Sequence, residues 1–406
     1  MKILLLAGLM TGSLWAGGSR VLLISPPELK EAWQEYAKMR GQQKSFIGVI
    51  TTDEIANKYE GVDLADKIRK CSREHIEKHR YHTIILGGDS SPKDGLIPDR
   101  DTFHQNQWGK DVDIPTDIYF ISPTTWDHDG DGIYGEFKDD REAISYPDGS
   151  IAIGRIPVRT KEDIEAYSKK VSNHFARKES KQLAMTCAVR GAYAKVHRSG
   201  SKLIPESWPE GKVSFLFNDF SSWDGVKKGD YDLSNEHLLE KLNAGQVNKW
   251  HIHGHGLVDR WVLENEESFS YGQVAKLSNL KQPAIITTVS CFTGQFDGKK
   301  DPCISEAMLR HPGGGAVAIV APAREGKPHF HNPKKDFPLM IREGKLDGTT
   351  QTMTSFWKEG LGGKTTTGLA LAKSKAGLAD DARKSATYHQ GICEINLLGD
   401  PTLQVK

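Results

Sequence analysis

From residue 20 onward, short apolar runs alternate with stretches whose apolar positions recur at helical spacing. Residues 21–25 (VLLIS), 45–51 (SFIGVIT) and 83–86 (TIIL) read as buried strands, with helices at 28–39 and 64–78 between them. Continuous apolar strands separated by helices imply a parallel sheet covered on both faces. The third strand ends in Gly87, Gly88 and Asp89, where a ligand-facing loop is expected. Residues 90–107 are polar, carry Pro92 and Pro98, and read as a long surface loop. Further strands are expected at 151–158, 183–189, 213–217 and 313–323, and helices at 161–175, 235–242, 304–309 and 366–378. Residues 397–405 (LLGDPTLQV) close the sheet.

Two strands in the second half each stop at a reactive side chain. Residues 249–255 (KWHIHGH) end at His255 and residues 283–291 (PAIITTVSC) end at Cys291. Between them Val274, Leu277 and Leu280 fall at helical spacing, so the segment reads as a βαβ unit with parallel neighbouring strands. His255 and Cys291 would then emerge side by side at one edge of the sheet. A free thiol is only a few per cent thiolate at neutral pH and needs a base beside it, which an imidazole supplies. Gly256 and Gly294 let backbone approach a substrate carbonyl, and the N–H groups of Gly256 and Cys291 can form an oxyanion hole.

A second motif precedes these. Asp127, Asp129 and Asp131 alternate and Gly132 follows, the start of a calcium loop in which Ile133 offers its carbonyl. The twelfth position holds Lys138 in place of a bidentate glutamate, which leaves Glu136 as the remaining acidic ligand. A third pattern, His251, His253 and His255, alternates along one strand and supports the alternative of a metal-dependent hydrolase. A non-catalytic binding protein with the same fold is the other alternative, and an intact Cys291 and His255 argue against it.

The motifs GHG at 254–256 and SCFTGQFD at 290–297 resemble the catalytic core of the gingipain family of cysteine peptidases, within the caspase-like group of folds. Similar motifs run the length of the chain, in ILGGD at 85–89, PTDIYF at 115–120, DHDGDGIYGE at 127–136, IGRIPVRT at 153–160 and LLGDPTLQV. The resemblance implies two side-by-side subdomains with mostly parallel sheets flanked by helices. It also implies a cysteine-type endopeptidase acting on protein or peptide substrates, with Cys291 as nucleophile, His255 as its partner and no catalytic cofactor. In the family a pocket carboxylate for basic substrate side chains and an acidic partner for the histidine come from the loop after the strand at 183–189. Here residues 190–203 hold Arg190, Lys195, Arg198 and Lys202 and no acid, so neither carboxylate carries over.

With 406 residues the chain exceeds what one core usually serves, and the basic run at 176–182 is the boundary expected between subdomains at 19–178 and 179–406. A formal charge of +1 offers no field for nucleic acid. Residues 1–18 read as a signal peptide: Lys2, an apolar run at 3–10, then small residues with cleavage after Ala16 or Gly18. No later segment is long and apolar enough to span a bilayer, so the expected location is secreted or periplasmic. Of the 5 cysteines, Cys291 is the free thiol, and Cys71, Cys187, Cys303 and Cys393 either pair or stay as buried thiols.

Overall fold

A computed structural model describes residues 19–91, 95–105, 109–187, 204, 208–216, 233–263, 267–326, 328–343 and 346–406. The signal segment, the basic loop at 190–203 and the side chain of Cys187 lie outside the described residues.

The amino-terminal half supplies β1 (Ser19–Ser25), β2 (Ser45–Thr51), β3 (Thr83–Leu86), the hairpin β4 (Asp101–Gln105) and β5 (Asp111–Pro115), and β6 (Ala152–Arg155). The second half supplies β7 (Gln182–Cys187), β8 (Lys212–Leu216), β9 (Lys249–His253), β10 (Gly256–Leu257), β11 (Arg260–Val262) and β12 (Ser268–Ser270). It ends with β13 (Ala284–Thr288), β14 (Ala316–Pro322) and β15 (Ile395–Gly399). Ten of these form one mostly parallel sheet in the order β2-β1-β3-β6-β15-β14-β13-β9-β7-β8. The halves on either side of residue 178 thus contribute contiguous blocks of one hydrogen-bonded sheet. Every residue of β3, β9, β13, β14 and β15 is buried, which is why β14 (AVAIVAP) reads as an unbroken apolar run, while β9 (KWHIH) buries a lysine and two histidines between apolar residues.

Helices cover the sheet with their apolar stripes. Helix Lys161–Ala176 begins at a capping box made by Thr160 and Asp163 and buries Ile164, Tyr167 and Val171. Helix Leu64–His79 buries Ile68 and Cys71 and stops at Arg80, which takes the left-handed conformation. The structure differs from the sequence reading at 90–107, where the expected loop contains β4 of the β4–β5 hairpin, and at 264–280, where the crossover is a short sheet and the single turn Tyr271–Val274. Polar β4 (DTFHQ) and the 3-residue strands β11 and β12 leave no apolar run to detect. The expected ligand loop after β3 is also used otherwise. A Cβ on Gly87 would lie 2.8 Å from the Trp33 ring and one on Gly88 2.7 Å from Ile97, so both glycines serve packing. The Asp89 carboxyl is buried among Arg159 and Arg310.

The carboxy-terminal motif explains its own acid. Asp400 is fully buried, its carboxylate lies 3.2 Å from Arg40 Nε, and it also accepts the Tyr36 hydroxyl and, at 2.7 Å, the Thr402 N–H. Removing the charge leaves the buried Arg40 guanidinium without its carboxylate partner. Asp400→Asn is therefore expected to lower unfolding stability by about 3 kcal/mol or more, whereas Tyr36→Phe loses one hydrogen bond and costs about 1 to 2 kcal/mol. Urea titration measures both, and equal, small losses would refute this role for Asp400.

Candidate active site

Pairing of β9 with β13 sets the site. The two run parallel with Ile252 opposite Thr288, and the Val289 N–H donates to Ile252 O at 3.1 Å. Each strand therefore ends at the same level, and His255 and Cys291 stand three residues past paired positions. Both line one cavity of about 190 Å³, together with His253, Gly326, Pro328, Asp347 and Thr350. His255 is exposed and Cys291 is half-buried, as a base and a nucleophile open to a substrate need to be.

The glycine of the GHG motif is required by closeness. A Cβ on Gly256 would fall 2.7 Å from Cys291 O and 2.6 Å from Thr293 Cγ2. Val262 N–H donates to His255 O at 3.0 Å, so Gly256, opposite Trp261, occupies the position whose N–H turns away from β11. Gly294 has a different task from the one expected: a Cβ on it would lie 2.8 Å from Ala321 Cβ of β14, and its N–H donates to Pro322 O. Phe292, directly after Cys291, sits at φ 60°, a conformation unfavourable by about 1 to 2 kcal/mol for a residue with a side chain. It is held there by its N–H donating to Arg324 O at 2.7 Å and by Thr293 Oγ1 donating to Ser290 O at 2.8 Å.

Burial raises the Cys291 thiol, the N–H groups of Gly326 and Cys291 itself pull it down, and the nearby carboxyls of Glu394 and Glu325 raise it. The net direction is upward, so the sulfur rests as a thiol and would need a base beside it to act as a nucleophile. Cys71, Cys303 and Cys393 are free and buried; burial pushes Cys71 to about 11 and Cys393 to about 12. The three described thiols besides Cys291 thus follow the unpaired alternative.

The three alternating histidines do not behave as a set. β9 ends at His253, so His255 lies beyond the strand. Burial lowers His251 to about 3 and His253 to about 4, which keeps both neutral, and His251 Nδ1 sits 2.7 Å from Thr287 Oγ1. Among the described residues no converging group of metal-ligating atoms includes them.

Acidic side chains do converge at 127–140. One atom each from Asp129, Asp131 and Glu136 lies within 4.8 Å of the others, and so it does for Asp127, Asp129 and Asp140. The loop folds its own acids inward: Asp127 Oδ1 accepts Gly130 N–H and Asp131 Oδ1 accepts Ile133 N–H, both at 2.8 Å, with Gly130 and Gly132 at positive φ. Burial and then Asp131, Asp139 and Asp140 push Glu136 upward. Asp140, two positions past the expected twelfth ligand, was not legible from the D-x-D-x-D-G pattern. Asp347 was also missed. It caps helix Gly348–Gly360, taking the N–H groups of Thr349 and Thr350 at 3.0 and 3.1 Å.

A thiol and an imidazole at adjacent ends of parallel strands are the groups that nucleophilic catalysis by a cysteine requires. Comparison with known proteins agrees. The family model for peptidase family C25 matches residues 16–406. Among solved structures, the complex of Porphyromonas gingivalis RgpB pro- and mature domains is similar at 17% identity and TM-score 0.65, over 96% of this chain and 80% of that one. The Arg-specific cysteine proteinase gingipain R (RGPB) is similar at 17% identity and TM-score 0.65, over 96% and 78%. A third structure, described as a protease, is similar at 16% identity and TM-score 0.61, over 97% and 80%. No curated protein matches the chain. The chain belongs to peptidase family C25, the gingipain family, and is a cysteine-type endopeptidase.

The packing of Gly256 generates a direct test. Gly256→Ala is expected to reduce kcat/KM about 100-fold or more while the unfolding midpoint changes little, because the added methyl displaces the Cys291 turn. Peptide-cleavage kinetics and thermal unfolding measured together check it.

Proposed function

We propose that this chain is an exported endopeptidase working through Cys291 and His255 and an acyl-enzyme. The observation that supports it is the shared cavity of His255 and Cys291 with the Gly256 backbone packed against the nucleophile's own carbonyl. His255 takes the proton of the Cys291 thiol as the sulfur attacks the peptide carbonyl carbon. The N–H groups of Gly256 and Cys291 hold the developing oxyanion. His255 then gives the proton to the leaving amine, and water hydrolyses the thioester to release the acid and restore the thiol. Export is supported by the composition of residues 1–18, and the mass of the mature chain, starting at Gly17 or Ser19, tests it.

Cys291→Ala is expected to lower cleavage of a peptide pool by about 10⁴-fold or more with the fold kept. A zinc-selective chelator should leave the wild type active. Cleavage that survives in Cys291→Ala and disappears with the chelator would make the protein a metal-dependent hydrolase instead.

The acidic loop at 127–140 supports a structural calcium ion held by Asp127, Asp129, Asp131, Glu136 and Asp140, with the Ile133 carbonyl. Several crowded carboxyls are costly without a cation, and a hard, oxygen-preferring ion fits them. Calcium chelation should lower the thermal midpoint of the wild type and leave an Asp129→Ala, Asp131→Ala variant unchanged. Identical wild-type midpoints with and without chelator would dismiss the ion.

A further inference from the structure

Behind the nucleophile lies a buried pair that the mechanism does not use. Glu394 ends helix Ala386–Glu394, His329 follows β14 in the chain, and both side chains are 0% exposed. His329 Nε2 is 2.9 Å from Glu394 Oε1, and since a carboxylate only accepts, the ring proton sits on Nε2. Nδ1 is buried without a hydrogen-bond partner among the described residues. The imidazole has a fitted socket: a Cβ on Gly391 would meet its ring at 2.6 Å, and one on Gly348 would meet its Cβ at 3.2 Å.

The backbone carbonyls of the same two residues, with one ion pair, fasten the segment that faces the thiol. Ala323 N–H donates to Glu394 O at 2.8 Å, Gly348 N–H donates to His329 O at 3.1 Å, and the Arg324 guanidinium donates to Asp297 at 2.7 Å. Between these anchors Gly326 comes so near the end of β13 that a Cβ would lie 2.3 Å from Val289 O. We propose that His329 and Glu394 form a positioning pair that fixes the segment after β14 against the Cys291 sulfur and places one negative charge behind it. This rests on Cys291 being the nucleophile.

The charge has a consequence for the resting enzyme. Around Cys291 stand Glu325 and Glu394, His253 and His255, Asp347 on the cavity wall, and the Arg324–Asp297 ion pair. Glu394 pushes the thiol upward more than Glu325 does, against the Gly326 N–H that pulls it down. Burial does most to keep the sulfur protonated, and the pair adds two opposed contributions to it. An exported enzyme with a persistent thiolate would lose it to alkylation and oxidation. A buried pair of this kind is otherwise a poor way to gain stability, since an apolar replacement of equal volume often does as well.

The test is alkylation of Cys291 by iodoacetamide over a series of pH values, read by mass spectrometry in the wild type, Glu394→Gln and His329→Gln. Glu394→Gln keeps an acceptor for Nε2–H and removes the charge, so the labelling midpoint should fall by about 0.5 to 1 pH unit. That is about 3- to 10-fold faster labelling at a pH below both midpoints. His329→Gln should raise the midpoint, because the Gly326 N–H is released while the carboxylate stays, and should cut kcat/KM about 10-fold. Midpoints unmoved in both variants, whatever their activity, overturn the proposal; if one variant does not fold by circular dichroism, the other decides alone. Alkylation needs no turnover, so a wild type that labels as expected and cleaves no peptide would refute the peptidase mechanism and leave the pair standing.

Discussion

The insertion of β15 between β6 and β14 is the constraint on which the rest depends. Without it the strands of the first half and those of the second would present two unpaired edges, each a row of unsatisfied N–H and C=O groups. β15 pairs antiparallel with β14 over five positions from Ala318–Gly399 to Pro322–Ile395 and meets β6 at Leu398–Arg155. A buried carboxyl flanks each end, Asp400 after the strand and Glu394 before it. Each is expensive to bury, and each is offset by dedicated partners: Tyr36, Arg40 and Thr402 at one end, His329 and Gln390 at the other. Such ends fix the register, because a slip by one residue would pull both carboxyls from their donors and turn the strand's faces over.

From that register follows the position of the edge that carries His255 and Cys291. β14 pairs with β13 and β13 with β9, so residues that follow these three strands, among them Gly326, Cys291 and His255, converge on the cavity. The strain at Phe292 is sustained by hydrogen bonds to the neighbouring segment, which ties the geometry of the nucleophile to β14 as well as to its own strand. A local distortion is stable here because its surroundings over-determine it.

Legibility divides along sequence distance. The strands VLLIS, AIITT and AVAIVA were readable because full burial makes them continuously apolar, and GHG and SCFTG because each sets glycine beside a reactive side chain at the end of such a strand. The placement of Cys291 and His255 at one cavity was therefore within reach. Asp347, His329 and Glu394 were not, since what matters about them is a partner 65 residues away or a cavity assembled from four segments. Polar β4 and the 3-residue strands β11 and β12 escaped because cross-strand pairing, with no apolar alternation of its own, defines them. The expectation of a ligand loop at Gly87 and Gly88 failed for a related reason: glycine marks close approach, and sequence does not say whether a substrate or a tryptophan is what approaches.

The acidic loop and the catalytic edge are joined by one imidazole. His389 Nε2 donates to Gly135 O at 2.8 Å and its Nδ1 faces the Tyr146 hydroxyl at 2.9 Å, so both ring nitrogens are engaged. His104, His389 and Cys393 bring ligand-capable atoms together, yet a metal there would have to break one of those two hydrogen bonds, and the group is better understood as a structural contact. Burial lowers His389 to about 4, so the ring stays neutral and the contact persists at every pH above that. His389 lies on the helix that ends in Glu394, five residues and little more than one turn away. An ion that tightened residues 127–140 would thus stiffen the helix carrying the carboxyl behind the nucleophile.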